Sequence, residues 1–225
     1  MSMFPFSRPI RAASLGLGLA FAAQAVAAED ASSGPWYLGL DVSAQWFADT
    51  DMSGQGKGRI SYDPGLSLSG LRLGYLLPSS EGARHAFRGE LELVGRVARI
   101  DEITGAAARD ADELDVGALM LNALVDFRPE ARISPYLGAG LGVAAASFSD
   151  SPGFGIVDKD SADTVAAVQA MAGVSFRPEG WTRTRLHAGY RYFATEDFHF
   201  KTKGRDATLD RMSSHELTAG VTFHF

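Results

Sequence analysis

Eight stretches of this 225-residue chain alternate apolar and polar residues with a period of two, and the connections between them are short and long in turn. Period two is the mark of a strand whose two faces meet different surroundings. The first stretch, WYLGLDVSAQWF, sets Trp36, Leu38, Leu40, Val42, Ala44 and Trp46 against Tyr37, Gly39, Asp41, Ser43, Gln45 and Phe47. The last, HELTAGVTFHF, runs to the final residue, with Leu217, Ala219, Val221, Phe223 and Phe225 on its apolar side. Between them SGLRLGYLL, FRGELELVGRV, LMLNALVDF, PYLGAGLGVAA, VQAMAGVSF and RLHAGYRYF follow the same rule. The alanine-rich parts near 117–126 and 165–172 also suit a helix, but flanking glycines and the neighbouring pattern favour strands. The connections after the second, fourth and sixth stretches are short (78–85, 128–134 and 177–182), and two of them carry Arg-Pro-Glu. The others are longer and polar, at roughly 48–65, 101–115, 147–163 and 194–214. A meander with tight turns at one end and long loops at the other is the form of an up-and-down barrel that crosses a membrane.

The two faces decide between barrels of opposite polarity. A soluble barrel would hold Trp36, Trp46, Phe87, Leu91 and Phe225 around a greasy ligand and turn its charges to water. A membrane barrel puts those residues in lipid and the charges in the lumen. Three patterns favour the second. Nine glycines lie on the polar face (Gly39, Gly70, Gly74, Gly138, Gly140, Gly142, Gly173, Gly189 and Gly220). A narrow eight-strand interior needs such small residues beside long ones. Aromatics sit near the ends of the apolar stripes, notably Trp36, Trp46, Phe127, Phe176 and Tyr192, as in two interfacial girdles. The charges also match across hairpins. Folding about residue 81 brings Arg72 opposite Glu90 or Glu92, and folding about Gly180 brings Gln169 opposite Arg191. An ion network of Arg72, Arg88, Glu90, Glu92, Arg96, Asp126, Arg191 and Glu216 is therefore expected in the lumen, closing it rather than leaving a narrow ion-conducting pore.

The N-terminus has the layout of a cleaved export signal over residues 1–28: Arg8 and Arg11, an apolar run from Ala12 to Ala23, then small residues at Ala25, Ala27 and Ala28. The remaining residues, 29–225, form one barrel domain. Loss of the two arginines leaves 19 basic against 27 acidic residues, a charge of −8, which argues against nucleic acid as a partner. The absence of cysteine excludes disulfides and thiolate sites.

SPYLGAGLGVA, LMLNALVDF, LHAGYRYF and the alternating ending on Phe225 resemble the small outer-membrane β-barrels of the OmpA-like and opacity-type superfamily, a porin-like Gram-negative family, over about 29–225. One departure is Leu124-Val125 before Asp126, where many relatives carry an aromatic. The resemblance implies an all-β, eight-stranded antiparallel transmembrane barrel in the outer membrane, reached by export across the inner membrane, with both termini in the periplasm. It implies insertion by the barrel-assembly machinery, which reads the last strand and its final aromatic, here Phe223 and Phe225. Outer-membrane lipid and lipopolysaccharide are the surroundings, the chain is expected to be a monomer, and a surface ligand would engage the long loops.

Catalysis has weak support. Some eight-stranded barrels act on lipid A, and Ser213, Ser214, His215 and Glu216 contain the residue types of a deacylase. Strand neighbours point to opposite faces, so His215 and Glu216 should not share a site. The five histidines, His85, His187, His199, His215 and His224, lack ligand spacing, and RDADELD (109–115) reads as a solvated acidic loop rather than a calcium site. No catalytic, cofactor or metal residue is assigned. The expected function is non-enzymatic: envelope integrity or surface interaction, with a lipid A-modifying enzyme or a narrow channel as alternatives.

Overall fold

The computed structural model describes residues 34–53, 58–80, 82–104, 113–149, 163–202 and 205–225. The expected export signal (1–28) and residues 109–112 of the acidic run lie outside them. Twelve strands follow in order: β1 (Trp36–Phe47), β2 (Thr50–Ser53), β3 (Gly58–Asp63), β4 (Gly65–Leu76), β5 (His85–Thr104), β6 (Glu113–Phe127), β7 (Ile133–Ser149), β8 (Asp163–Phe176), β9 (Thr184–Thr195), β10 (Phe198–Thr202), β11 (Arg205–Leu209) and β12 (Ser213–His224). Eight of them close a ring of antiparallel neighbours, β1-β4-β5-β6-β7-β8-β9-β12, with β12 paired back to β1. Each of the eight expected stretches lies in one ring strand, and the alanine-rich segments are strands.

The closing seam explains the patterned C-terminus. β12 pairs with β1 from Tyr37↔His224 to Phe47↔Ser214. Beyond those pairs, Phe225 N–H donates to the Trp36 carbonyl at 2.9 Å, and Ala48 N–H donates to the Ser213 carbonyl at 2.9 Å. The last residue is tied into the ladder, where a chain end usually frays.

Side chains alternate outward and inward around the ring. Trp36, Leu38, Val42, Leu71, Leu73, Phe87, Leu91, Leu121, Leu141 and Leu217 are exposed on the outside, whereas Asp41, Arg72, Glu90, Glu92, Arg191 and Glu216 are buried within. A greasy-lumen soluble barrel is therefore excluded: Trp36, Trp46, Phe87, Leu91 and Phe225 all face outward.

The strands run further than the sequence pattern indicated. β5 reaches Thr104 and β7 reaches Ser149, while β2, β3, β10 and β11 occupy what read as loops. β2 and β3 pair as a hairpin, β3 pairs with β5 beyond the ring, and β10–β11 joins β2 through Thr208↔Ser53 and Leu209↔Met52. Two loops are thus sewn into one sheet over the loop end. Beyond the bilayer a strand need not be apolar outside, so its alternation is diluted by polar residues and escapes a period-two reading.

The inward glycines make room for long neighbours. A methyl group added at Gly74 would overlap the Tyr37 ring, whereas one at Gly117 would meet nothing within 4 Å. Gly74→Ala should therefore destabilise the barrel by about 1–3 kcal/mol through overpacking, while Gly117→Ala should leave the unfolding midpoint in urea unchanged. Urea titration followed by heat-dependent gel mobility measures both.

Candidate functional site

The inward polar residues form one connected chain of ion pairs. At the turn end, Arg88 Nε lies 2.9 Å from Asp126 Oδ2, and its Nη1 donates to Glu90 Oε1 at 2.5 Å. Tyr37 hydroxyl donates to the same Glu90 oxygen at 2.7 Å. Arg72 bridges onward, 3.1 Å from Glu90 and 2.9 Å from Asp41. His187 Nε2 lies 2.6 Å from Asp41 Oδ1. Arg191 continues the chain to Glu92 at 2.6 Å, to Glu216 at 3.6 Å and to Asp41 at 3.8 Å. Glu92 also accepts from Asn122 and Gln169, each at 2.8 Å. The far end is Arg96, whose Nε donates to Glu216 at 2.6 Å.

All eight residues expected in the lumen network are thus buried and joined. Four arginines face five carboxylates, with His187 placed against Asp41. Isolated, each charge would cost several kcal/mol to bury; an alternating chain offsets that cost by giving each a partner of opposite sign. Asp41 read as polar-face but not as a network member, and it is the hub that Arg72, Arg191 and His187 share. Its signal was its flanks: Asp41 lies between Gly220 and Gly70 in register, and Gly220 leaves space for His187 as Gly39 does for Arg72. One expected pairing is wrong. Gln169 stands opposite Phe193, and Arg191 opposite Met171, because the β8–β9 hairpin folds two residues away in register from a fold centred on Gly180. Gln169 and Arg191 meet only through their common partner Glu92. Arg72 does stand opposite Glu92, as expected, yet its salt bridge reaches Glu90.

Around Arg96 and beyond it toward the loop end the filling changes character. Val94, Val116, Met120, Ala144, Val165 and Phe193 turn inward from the ring and pack with Ile60, Phe198, Leu209 and Met212 of the capping segments. Arg96 marks the boundary: its guanidinium lies 3.7 Å from the Phe193 ring centre, while Nη1 and Nη2 have no hydrogen-bond partner. The ring face replaces those partners in part. Sequence reading missed this apolar half. Phe198, in the long polar connection at roughly 194–214, is fully buried in the seal. The side chains from Phe200 to Arg205 lie outside the described ones.

The outer surface carries aromatics at both ends of its apolar band. Trp36 packs edge-on to Tyr75 with ring centres 4.8 Å apart, and Phe127 and Phe176 lie where β6 and β8 meet their turns. At the loop end Trp46, His215 and Tyr192 are register neighbours across three strands. The ten-residue rise from Trp36 to Trp46 spans about 25 Å on a tilted strand, the height of a membrane barrel's apolar band. His215 belongs to this belt, with Nδ1 2.5 Å from the Tyr190 hydroxyl. Ser214 and Glu216 point the other way, bonded to each other at 3.0 Å in the lumen. Serine, histidine and acid therefore do not converge there. Among the described residues no group of three potential ligands forms a metal site.

A closed antiparallel ring with an apolar exterior, charged interior and aromatic belts defines a transmembrane β-barrel. The sequence profile of the outer membrane protein beta-barrel domain family matches residues 13–225, and the chain belongs to that family, a protein of the Gram-negative outer membrane. Its fold is similar to that of Neisserial surface protein A (TM-score 0.51, 20% identity, covering 87% of this chain and 100% of that one). It is also similar to the outer membrane protein AlkL (TM-score 0.53, 16% identity, 86% and 91%). A third similar structure is OprG from Pseudomonas aeruginosa (TM-score 0.52, 10% identity, 86% and 98%). No curated protein matches the sequence.

Removing one member of the chain should be costly. Arg72→Met leaves Asp41 and Glu90 short of a cation, and should lower stability by about 3–5 kcal/mol. Arg59→Met, which breaks the exposed Arg59–Asp51 pair at the loop end, should leave the urea midpoint unchanged.

Proposed function

We propose that the protein is a non-catalytic outer-membrane barrel with a closed lumen, acting in envelope integrity or in surface contact through its capped loop end. The observation that carries this reading is the continuous filling of the lumen, ions from Asp126 to Arg96 and then the apolar seal. Eight strands leave an interior only wide enough for side chains, and here long side chains occupy it. The turn end, with the start of β1 and the end of β12, faces the periplasm, as short turns do in such barrels. The joined β2–β3 and β10–β11 hairpins then form the outward platform, a patterned surface for a ligand or for lipopolysaccharide. The barrel acts as a monomer, since its ring closes on itself without an open edge in lipid.

Insertion depends on the last strand. Phe223 is half-buried and Phe225 is exposed on the outside at the turn end, where the assembly machinery can read an aromatic. Deleting Phe225 should reduce the yield of heat-modifiable barrel in outer-membrane fractions more than deleting one residue from a loop does; equal yields would contradict this role.

The refolded protein should insert into planar bilayers without discrete conductance steps. Reproducible single-channel steps would overturn the closed-lumen reading.

A further inference from the structure

Below the ion chain, the turn-end mouth holds a cavity of about 190 Å³. It is lined on one side by Leu76, Leu77 and Ala86, and elsewhere by Arg88, Arg177 and Arg185 with the carboxylates of Asp126 and Glu130. These charges are not equivalent. Arg88 and Asp126 neutralise each other at 2.9 Å within the network. The Glu130 carboxylate accepts from the Gly82 N–H at 3.4 Å. Among the described residues the hydrogen bonds of Arg177 and Arg185 go to backbone: Arg177 Nη2 donates to the Glu130 carbonyl at 2.5 Å, and Arg185 Nη2 to the Pro129 carbonyl at 3.2 Å, with Asp126, already bound to Arg88, the carboxylate that acts on Arg185. Among the described residues neither makes an ion pair with a carboxylate. A guanidinium has five N–H donors in a planar fork, so each retains most of them. Two half-buried cations are thus held by neutral carbonyls, beside an apolar wall, at the open mouth of the lumen.

The chemistry that completes such a site is an oxyanion. Its oxygens accept paired N–H donors from one guanidinium, and its charge offsets two cations in a partly desolvated mouth. The leucine wall asks for a compact apolar body. An apolar cavity of about 150 Å³ holds benzene, so 190 Å³ suits a ring or short chain bearing one anionic group. The filled lumen above means such a ligand enters and leaves by the turn end alone. We propose that the turn-end mouth is a binding site for small organic oxyanions, with Arg177 and Arg185 as the recognising groups.

The test uses the refolded full-length barrel in zwitterionic detergent, with titration calorimetry and Arg Nε–H NMR signals as readouts. Benzoate should bind saturably and shift Arg signals, and benzamide, its neutral counterpart of the same shape, should bind at least about tenfold more weakly. Inorganic phosphate should compete with benzoate, since it shares the oxyanion and lacks the ring. Raising salt from about 50 to about 300 mM should weaken benzoate binding. The R177Q/R185Q double variant should lose benzoate affinity by about tenfold or more while keeping its heat-modifiable mobility. Should the double variant fail to fold, R177Q alone, placed in a turn outside the ring, still has to weaken binding. Equal affinity for benzamide and benzoate, no binding of either anion, or unchanged affinity in the folded variants would each overturn the proposal.

Discussion

Hydrocarbon offers no hydrogen bonds, so every backbone N–H and C=O of a spanning segment has to find its partner within the protein. The β1–β12 seam answers that demand for this chain, running from the Phe225–Trp36 bond at one end to the Ala48–Ser213 bond at the other. Everything else follows from closing the ring with only eight strands. The interior becomes narrow, alternate residues are forced into it, and the remaining residues meet lipid. Phe225 N–H still donates to the Trp36 carbonyl, and the alternation runs as far as that bond.

A narrow interior then dictates how it is filled. Glycine on one strand faces a long side chain from another: Gly74 lies under Tyr37, Gly39 beside Arg72, and Gly220 beside Asp41 and His187. Large and small residues interlock, as packing at interior density requires. Charges admitted to this space have to alternate in sign, because a like-charged or unpaired neighbour in low dielectric costs more than folding can offset. The same ring fills its other half with Val116, Met120, Val165 and Phe193, so charge is not a necessity of the architecture. Buried ion pairs often contribute little more stability than apolar residues of equal volume. Their presence in one half of the lumen, with the two carbonyl-held arginines at its mouth, assigns the polar end a chemical character that the sealed end lacks.

The ring strands were legible because membrane and lumen impose opposite solvents on adjacent residues, and period two records that contrast directly. Trp36 and Trp46 even marked the height of the apolar band. The capping hairpins were not legible: Ile60, Phe198 and Leu209 stand directly between polar residues (Arg59 and Ser61, Asp197 and His199, Thr208 and Asp210), and their burial depends on two distant loops meeting. The charged residues of the lumen were identifiable from their face, and turn arithmetic narrowed the residue opposite Arg72 to Glu90 or Glu92, of which the register takes Glu92. The partners were not. Arg72 reaches past Glu92 to Glu90 and Asp41, and a long guanidinium side chain chooses among neighbours within several ångströms by what else competes for them.

By itself, then, the sequence determined the number of ring strands, the direction each face points and the composition of the lumen, because these are set by local alternation and by the solvent on either side. Only the tertiary structure decided which charges meet, that Asp41 joins Arg72, Arg191 and His187, that Phe198 and Leu209 close the loop end, and that Arg177 and Arg185 are left facing a cavity. Those outcomes depend on registers between strands far apart in the chain and on the space that glycines leave across the lumen, and neither is encoded in the period of any one segment.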